Sequence, residues 1–248
     1  FKLKYTAKMS NKISYNYSPN FFIQKRKSKN IKFIIIHYTG MKNDKESINR
    51  LTDIKSSVSC HYYVDRNGKI LIMVPDLYVS WHAGKSKWKK FKSLNKYSIG
   101  IEISNPGHEH NYKKFSNNQI KSVKKLLKFL IKKYHISLKN ILGHSDIAPT
   151  RKKDPGEKFP WKELSKENIC LWHTLKNNEL IRLRKKKINK IQQKLFFKNL
   201  SRIGYDTYNL NKKKKFIIKA FQRRFRPELI NAHIDQEIYL ISKNLIKL

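Results

Sequence analysis

What most constrains this chain is a set of short apolar runs that stop at, or enclose, a residue able to bind a metal or move a proton. "KFIIIHYTG" (32–40) passes through three isoleucines to His37, with Gly40 free to make the exit turn. "YSIGIEIS" (97–104) holds Glu102 between Ile101 and Ile103, and "NILGH" (140–144) ends in His144. Runs this short and this rich in β-branched residues read as strands. Helical spacing lies between them. In "ESINRLTDI" the residues Ile48, Leu51 and Ile54 share a face. Ser116 and Gln119 make a capping box that opens a helix with a stripe of Ile120, Val123, Leu127, Leu130, Ile131 and Tyr134. "CHYYVDRNGKILIMV" reads as a hairpin, because Asn67-Gly68 suits a turn with positive φ. Strands alternating with helices, plus a hairpin, give an α/β fold with a mixed central sheet flanked by helices.

Four segments follow from the changes in pattern. Residues 1–30 are rich in Lys, Asn and Tyr and read as an N-terminal arm. The α/β domain spans 31–175, and a basic helical linker spans 176–189. Residues 190–248 carry a small three-helix domain. Its helices are expected at 190–203, ended by Gly204; at 212–225, capped by Asn211 and ended by Pro227; and at 235–246, begun near Asp235.

The formal charge of +39 arises from 56 Lys and Arg against 17 Asp and Glu. Such a surface attracts polyanions, but only ten of the basic residues are Arg and the lysines occur in nearly every segment. Nucleic-acid readers concentrate Arg on one face, so we read this charge as compositional bias on solvated surfaces and expect no nucleic-acid partner. An anionic polymer such as a cell wall stays open as a partner. No apolar run approaches the ~18 residues of a membrane span. No signal-peptide-like segment is visible and the first residue is Phe, so the chain reads as a mature or trimmed form with no compartment written in it. Cys60 and Cys170 lack metal or redox spacing and read as small buried residues.

The stretch "ILGHSDIAPTRKKDPG" (141–156) gathers scarce acids beside a histidine. Imidazoles at the ends of neighbouring strands, His37 and His144, can converge on one point. Asp154, presented by a Pro155-Gly156 turn, can complete a set of three N/O ligands with one open position, as catalytic zinc uses. The same pattern fits a packed strand-end histidine at position 37. It equally fits a solvent-facing glutamate at 102 and a surface lysine at 152, and spacing alone does not choose.

Five segments in order, "FIIIHYTG", "SCHYYVDRNGKI", "SWHAGKSKW", "NKYSIGIEISN" and "GHSDIAPTRKKDPGEKFPW", closely resemble the zinc-dependent N-acetylmuramoyl-L-alanine amidases of the type-2 amidase family. The resemblance implies the fold shared with peptidoglycan recognition proteins. It implies zinc held by His37, His144 and Asp154, with Glu102 and Lys152 catalytic and Lys153 an added base without a role. The implied reaction is hydrolysis of the amide between N-acetylmuramic acid and L-alanine in peptidoglycan or its muropeptide fragments, in cell-wall turnover. Trp81 and His82 would line the substrate cleft. The implied setting is the periplasm, with association to the outer membrane, and a monomer is expected. A non-catalytic peptidoglycan recognition protein on the same fold is the alternative.

Asp146 reads either as an orienting partner of a ligand imidazole or as a loop cap. His61 packs or hydrogen-bonds inside the sheet, and His108 with His110 belongs to a solvated loop. "LSRIGYD" with "KAFQRRFRPELINAHIDQEI" resembles a three-helix peptidoglycan-binding module, although Ala232 and His233 stand at a turn where that module usually has a glycine.

Overall fold

The computed structural model describes residues 13–248, so the first twelve residues of the expected arm lie outside the described residues. The chain folds into two units, each with its own core. One contains the chain up to Gly84 with Asn95–Leu142, and the other contains Lys85–Leu94 with Gly143–Leu248.

The first unit is built on a sheet. Its strands are β1 (Ile13–Tyr15), β3 (Phe33–Tyr38), β4 (Tyr62–Val64), β5 (Ile70–Ile72), β9 (Ser98–Ile103) and β10 (Ile141–Gly143), in the spatial order β1-β5-β4-β9-β3-β10. β9 runs parallel to both β3 and β4, β4 and β5 form the expected antiparallel hairpin, and β1 lies parallel to β5. Ile34, Ile35 and Ile36 are fully buried, so β3 is covered on both faces, as a near-continuous apolar run in a parallel pair demands. The hairpin turns on Gly68, whose φ is +80°, while the Asp65 carboxylate accepts from the N–H groups of Asn67 and Lys69. Within the expected arm, residues 13–15 add a strand to the sheet edge and β2 (Phe21–Phe22) pairs with β6 (Val79–Ser80). Strands of two or three residues are too short to show alternation, which is why this stretch reads as unpatterned.

Two helices complete this unit. α1 (Asp44–Thr52) is capped by Asn43, whose side chain accepts from Glu46 N–H. Leu51 is buried and Ile48 packs beside it on a cluster of Cys60, Tyr63, Leu71 and Met73. Ile54 does not join that face: Asp53 ends the helix and starts a 3-10 turn, leaving Ile54 exposed. α2 (Asn117–Tyr134) carries the expected capping box of Ser116 and Gln119, a feature worth about 1 kcal/mol. Its buried stripe runs through Ile120, Val123, Leu126, Leu127 and Leu130.

In the second unit, a small hairpin pairs β7 (Lys87–Trp88) with β8 (Phe91–Lys92). α3 (His144–Ile147), α4 (Trp161–Lys166) and α5 (Asn177–Leu183) precede three longer helices. These are α6 (Lys190–Ile203), α7 (Leu210–Phe225) and α8 (Gln236–Leu245). They bury Phe196, Leu200, Ile217, Phe221, Ile238 and Ile241, with Phe196 edge-on to Phe221 at 5.4 Å. α7 begins two residues earlier than expected: its cap is Asn209 in place of Asn211, in a left-handed conformation and without a side-chain capping bond. Asp235 caps α8 as expected, accepting from Ile238 N–H. Arg226 is buried and donates to Asp235 and Glu237 at 3.0 and 3.1 Å. Both cysteines are free and buried, and burial pushes the Cys170 thiol up to about 11, so neither is poised to react.

Candidate metal and catalytic site

His37 and Glu102 are register partners on β3 and β9, so their side chains leave the sheet on the same face. Nδ1 of His37 lies 4.0 Å from Oε1 of Glu102, and the imidazole is 1% exposed. The far nitrogen, Nε2, is 3.0 Å from Nδ1 of His82. His82 in turn has its Nε2 3.1 Å from Ser98 Oγ. A consistent assignment of protons has His37 Nε2–H donating to His82 and His82 Nε2–H donating to Ser98. That tautomer leaves a lone pair on His37 Nδ1, on the side facing Glu102.

Gly100 makes this chain of contacts possible. Any Cβ at position 100 would fall 2.4 Å from His82 Cγ, so the imidazole lies on bare strand backbone. The Asn95 side chain accepts from the backbone N–H groups of His82 and Ala83 and holds the loop down. His82 is therefore a buried partner of His37, whereas the resemblance implies a place for it on the cleft wall. Trp81 is half-buried, edge-on to Phe22 at 5.6 Å. His61 lies inside the sheet, where Gly100 N–H donates to its Nδ1 at 3.0 Å.

The His144 loop is equally tight. His144 Nδ1 is 3.1 Å from Asp154 Oδ2, both residues are buried, and Ser145 N–H donates to the Asp154 carbonyl. A Cβ at Gly143 would meet Pro155 Cδ at 2.8 Å, so the glycine allows the two ends of the loop to close together. Asp146 does cap the loop, since its Oδ2 accepts from Gly143 N–H at 2.8 Å. It also takes Arg224 Nη1 at 2.7 Å and the Tyr205 hydroxyl at 2.6 Å. Lys152 is half-buried on this loop and Lys153 is exposed.

One ligand atom from each of His37, His144 and Asp154 lies within 4.8 Å of the others, and among the described residues this is the one His/Cys/Asp/Glu group so arranged. The donor set suits zinc: two imidazole nitrogens and one carboxylate oxygen, all buried. Groups of these three kinds converging on one point can share a divalent ion. His108 is not part of any such group; its Nδ1 pairs with the Tyr38 hydroxyl at 2.8 Å and its ring stacks on Tyr112.

Residues 27–157 match the family described as Amidase_2, N-acetylmuramoyl-L-alanine amidase. The chain is 35% identical over 231 residues to the N-acetylmuramoyl-L-alanine amidase AmiD of Escherichia coli K12, covering 88% of this chain and 83% of AmiD. Among solved structures, a complex of E. coli AmiD with the substrate anhydro-N-acetylmuramic acid-L-Ala-D-γ-Glu-L-Lys superposes with a TM-score of 0.77 at 34% identity, over 88% of this chain and 89% of that one. AmpDh3 of Pseudomonas aeruginosa, in complex with an anhydromuramic pentapeptide, gives a TM-score of 0.75 at 27% identity, over 94% and 96% of the two chains.

Proposed function

The chain belongs to the N-acetylmuramoyl-L-alanine amidase family, and on that premise we propose that it hydrolyses the amide between N-acetylmuramic acid and L-alanine with a zinc ion held by His37, His144 and Asp154. The observation that carries this reading is the convergence of those three ligand atoms within 4.8 Å. Bound by these residues, zinc would supply a Lewis acid able to polarise a carbonyl and to lower the pKa of a water toward ~7.

The protein's own groups supply the rest. Glu102, beside the His37 ligand on the same face of the sheet, takes the proton of the attacking water as the new C–O bond forms. It then gives that proton to the L-alanine nitrogen as the C–N bond breaks. Lys152 sets a positive charge against the oxygen that becomes negative in the tetrahedral intermediate, a contribution of about 3 kcal/mol. His82 fixes the tautomer of His37 and the direction of its lone pair. Trp81 offers a flat apolar face to the sugar or the stem peptide. The alternative of a non-catalytic recognition protein is disfavoured because all three ligands, Glu102 and Lys152 are present.

Peptidoglycan and anhydro-muropeptides are the substrates this reading implies, since both solved structures compared above hold anhydromuramoyl peptides. The enzyme would then work in the cell envelope, on the periplasmic side or at the outer membrane. Among the described residues no helix is long and apolar enough to cross a membrane. The test is to incubate the zinc-loaded protein with anhydro-N-acetylmuramoyl peptides and identify the products by mass. Free anhydro-N-acetylmuramic acid and an intact stem peptide starting at L-alanine are expected. Cleavage between stem-peptide residues, or no cleavage, would overturn the assignment.

A further inference from the structure

We infer that the helical part of this chain clamps the His144 loop, with Arg224 and Tyr205 acting through Asp146 as positioning residues for the metal ligands. The inference rests on the zinc reading above and goes beyond it, because it gives the C-terminal helices a part in the chemistry in addition to any affinity for the wall.

Asp146 is 1% exposed and follows His144 by two positions. Three donors saturate its carboxylate. Gly143 N–H and Arg224 Nη1 share Oδ2 at 2.8 and 2.7 Å, and the Tyr205 hydroxyl takes Oδ1 at 2.6 Å. The first of these donors is the backbone immediately before His144. The carboxylate therefore pins the chain on both sides of the ligand, and two residues from the C-terminal helical region hold the carboxylate.

Both of those residues are themselves built in. Arg224 is 4% exposed and its guanidinium lies 4.2 Å from the centre of the Trp161 ring, a cation–π contact that fixes the plane of its donors. Tyr205 is buried edge-on to Trp88 at 4.9 Å. Trp88 occupies the space that a Cβ at Gly204 would fill, and Lys89 N–H donates to the Gly204 carbonyl. The neighbouring Arg223 approaches Glu157 at 3.6 Å, just past Asp154, and Arg151 donates to the Lys85 carbonyl at 2.7 Å. Consecutive arginines on α7 thus reach both ends of the segment that carries His144 and Asp154.

A buried ion pair is costly to break from one side, because the partner left behind keeps its charge without water. If Arg224 is removed, the buried Asp146 carboxylate loses one of its three donors and is drawn toward solvent, which loosens its hold on the Gly143 amide. Metal ligands tolerate little of this, and loss of an outer partner of a ligand characteristically costs 10–100-fold in metal affinity.

The test compares the full-length protein with Arg224→Met, Tyr205→Phe and Ile241→Val. The last trims the buried helical core without touching the clamp. Zinc affinity is read by competition with a chelator, ligand geometry by the visible absorption of the cobalt-substituted protein, and loop order by amide exchange of residues 143–148 in metal-free protein. The clamp predicts that Arg224→Met weakens zinc at least tenfold and shifts the cobalt bands. Tyr205→Phe, which keeps the ring packing, weakens zinc several-fold and speeds exchange at Gly143. Ile241→Val lowers the melting temperature and leaves all three readouts unchanged. If Arg224→Met does not fold, Tyr205→Phe decides. Unchanged zinc affinity, spectrum and exchange in the clamp variants, in a protein that binds zinc, would overturn the clamp alone. A wild-type chain without zinc affinity would overturn the metal reading and the clamp with it.

Discussion

His37 and Glu102 face each other across adjacent parallel strands, with Nδ1 of the one 4.0 Å from Oε1 of the other. Strand pairing puts both side chains on one face, because register partners in a parallel pair project from the same side of the sheet. The proposed metal ligand and the proposed proton carrier thereby sit side by side on two interior strands of the sheet.

Replacing Glu102 with Gln keeps the shape and removes the proposed base. Turnover of an anhydro-muropeptide should fall by about 10²–10⁴-fold. Zinc content, measured by elemental analysis, should stay at the wild-type level. Undiminished turnover in that variant would remove the glutamate from the mechanism.

Gly100→Ala addresses the support of His37. The new methyl would meet the His82 ring, which must then leave the strand and release His37 Nε2. Zinc affinity is expected to fall roughly 10–100-fold, the usual cost of losing a partner that orients a ligand. Affinity equal to wild type, read by chelator competition, would mean that His37 needs no such partner.

Ala232→Gly addresses a turn in the helical region. Ala232 holds φ of +61°, a left-handed conformation that costs a residue with a Cβ about 1 kcal/mol, and Gln222 Oε1 accepts from its N–H and from that of Asn231. Glycine should therefore raise stability by about 1 kcal/mol, seen as a higher urea midpoint with the same slope. A lower midpoint would contradict the strain at this turn.

Much of this site could be read from the chain, and what could not be read has a common cause. Continuous apolar runs announced β3 and β9, and the Ser116–Gln119 box announced α2, because those signals are local. β1 and β2 escaped because two or three residues gain their identity only from the strand they pair with. Ile54 fitted a helical face, but the Asp53 side chain diverts the backbone one residue earlier. The role of His82 depends on a contact across the sheet. The glycine inside "IGIEI" was the available cue, since a strand glycine marks close approach of another group. The clamp left a fainter trace: two consecutive arginines in a chain that otherwise uses lysine.

Acid should weaken the fold through its buried imidazoles. Burial, reinforced by the Arg26 guanidinium 2.9 Å away, lowers His61 from 6.5 to about 3, against smaller opposing effects of Asp76 and the Tyr78 carbonyl. His173 is lowered to about 4, again mainly by burial, with Lys162 next. Between pH 6.5 and these values the unfolded chain binds protons that the native one refuses, so stability rises with pH across that window and is lost on acidification. For His61 the loss is on the order of a few kcal/mol. Asp76 acts at lower pH: burial alone would raise its pKa, but the Lys133 ion pair and hydrogen bonds from Tyr134 and Tyr62 hold it below the usual carboxylate value, so its contribution is lost only as pH falls below the ordinary carboxylate range. Urea midpoints of metal-free protein should drop between pH 7 and pH 5, and a flat profile would contradict the burial of these groups in neutral form.

The most direct test of the zinc centre is the rate of stem-peptide release from an anhydro-muropeptide before chelation, after complete removal of metal, and after zinc is restored. Release should stop when the metal is gone and return with about one equivalent of zinc per chain. Release continuing at the original rate in verified metal-free protein would contradict the account at its centre.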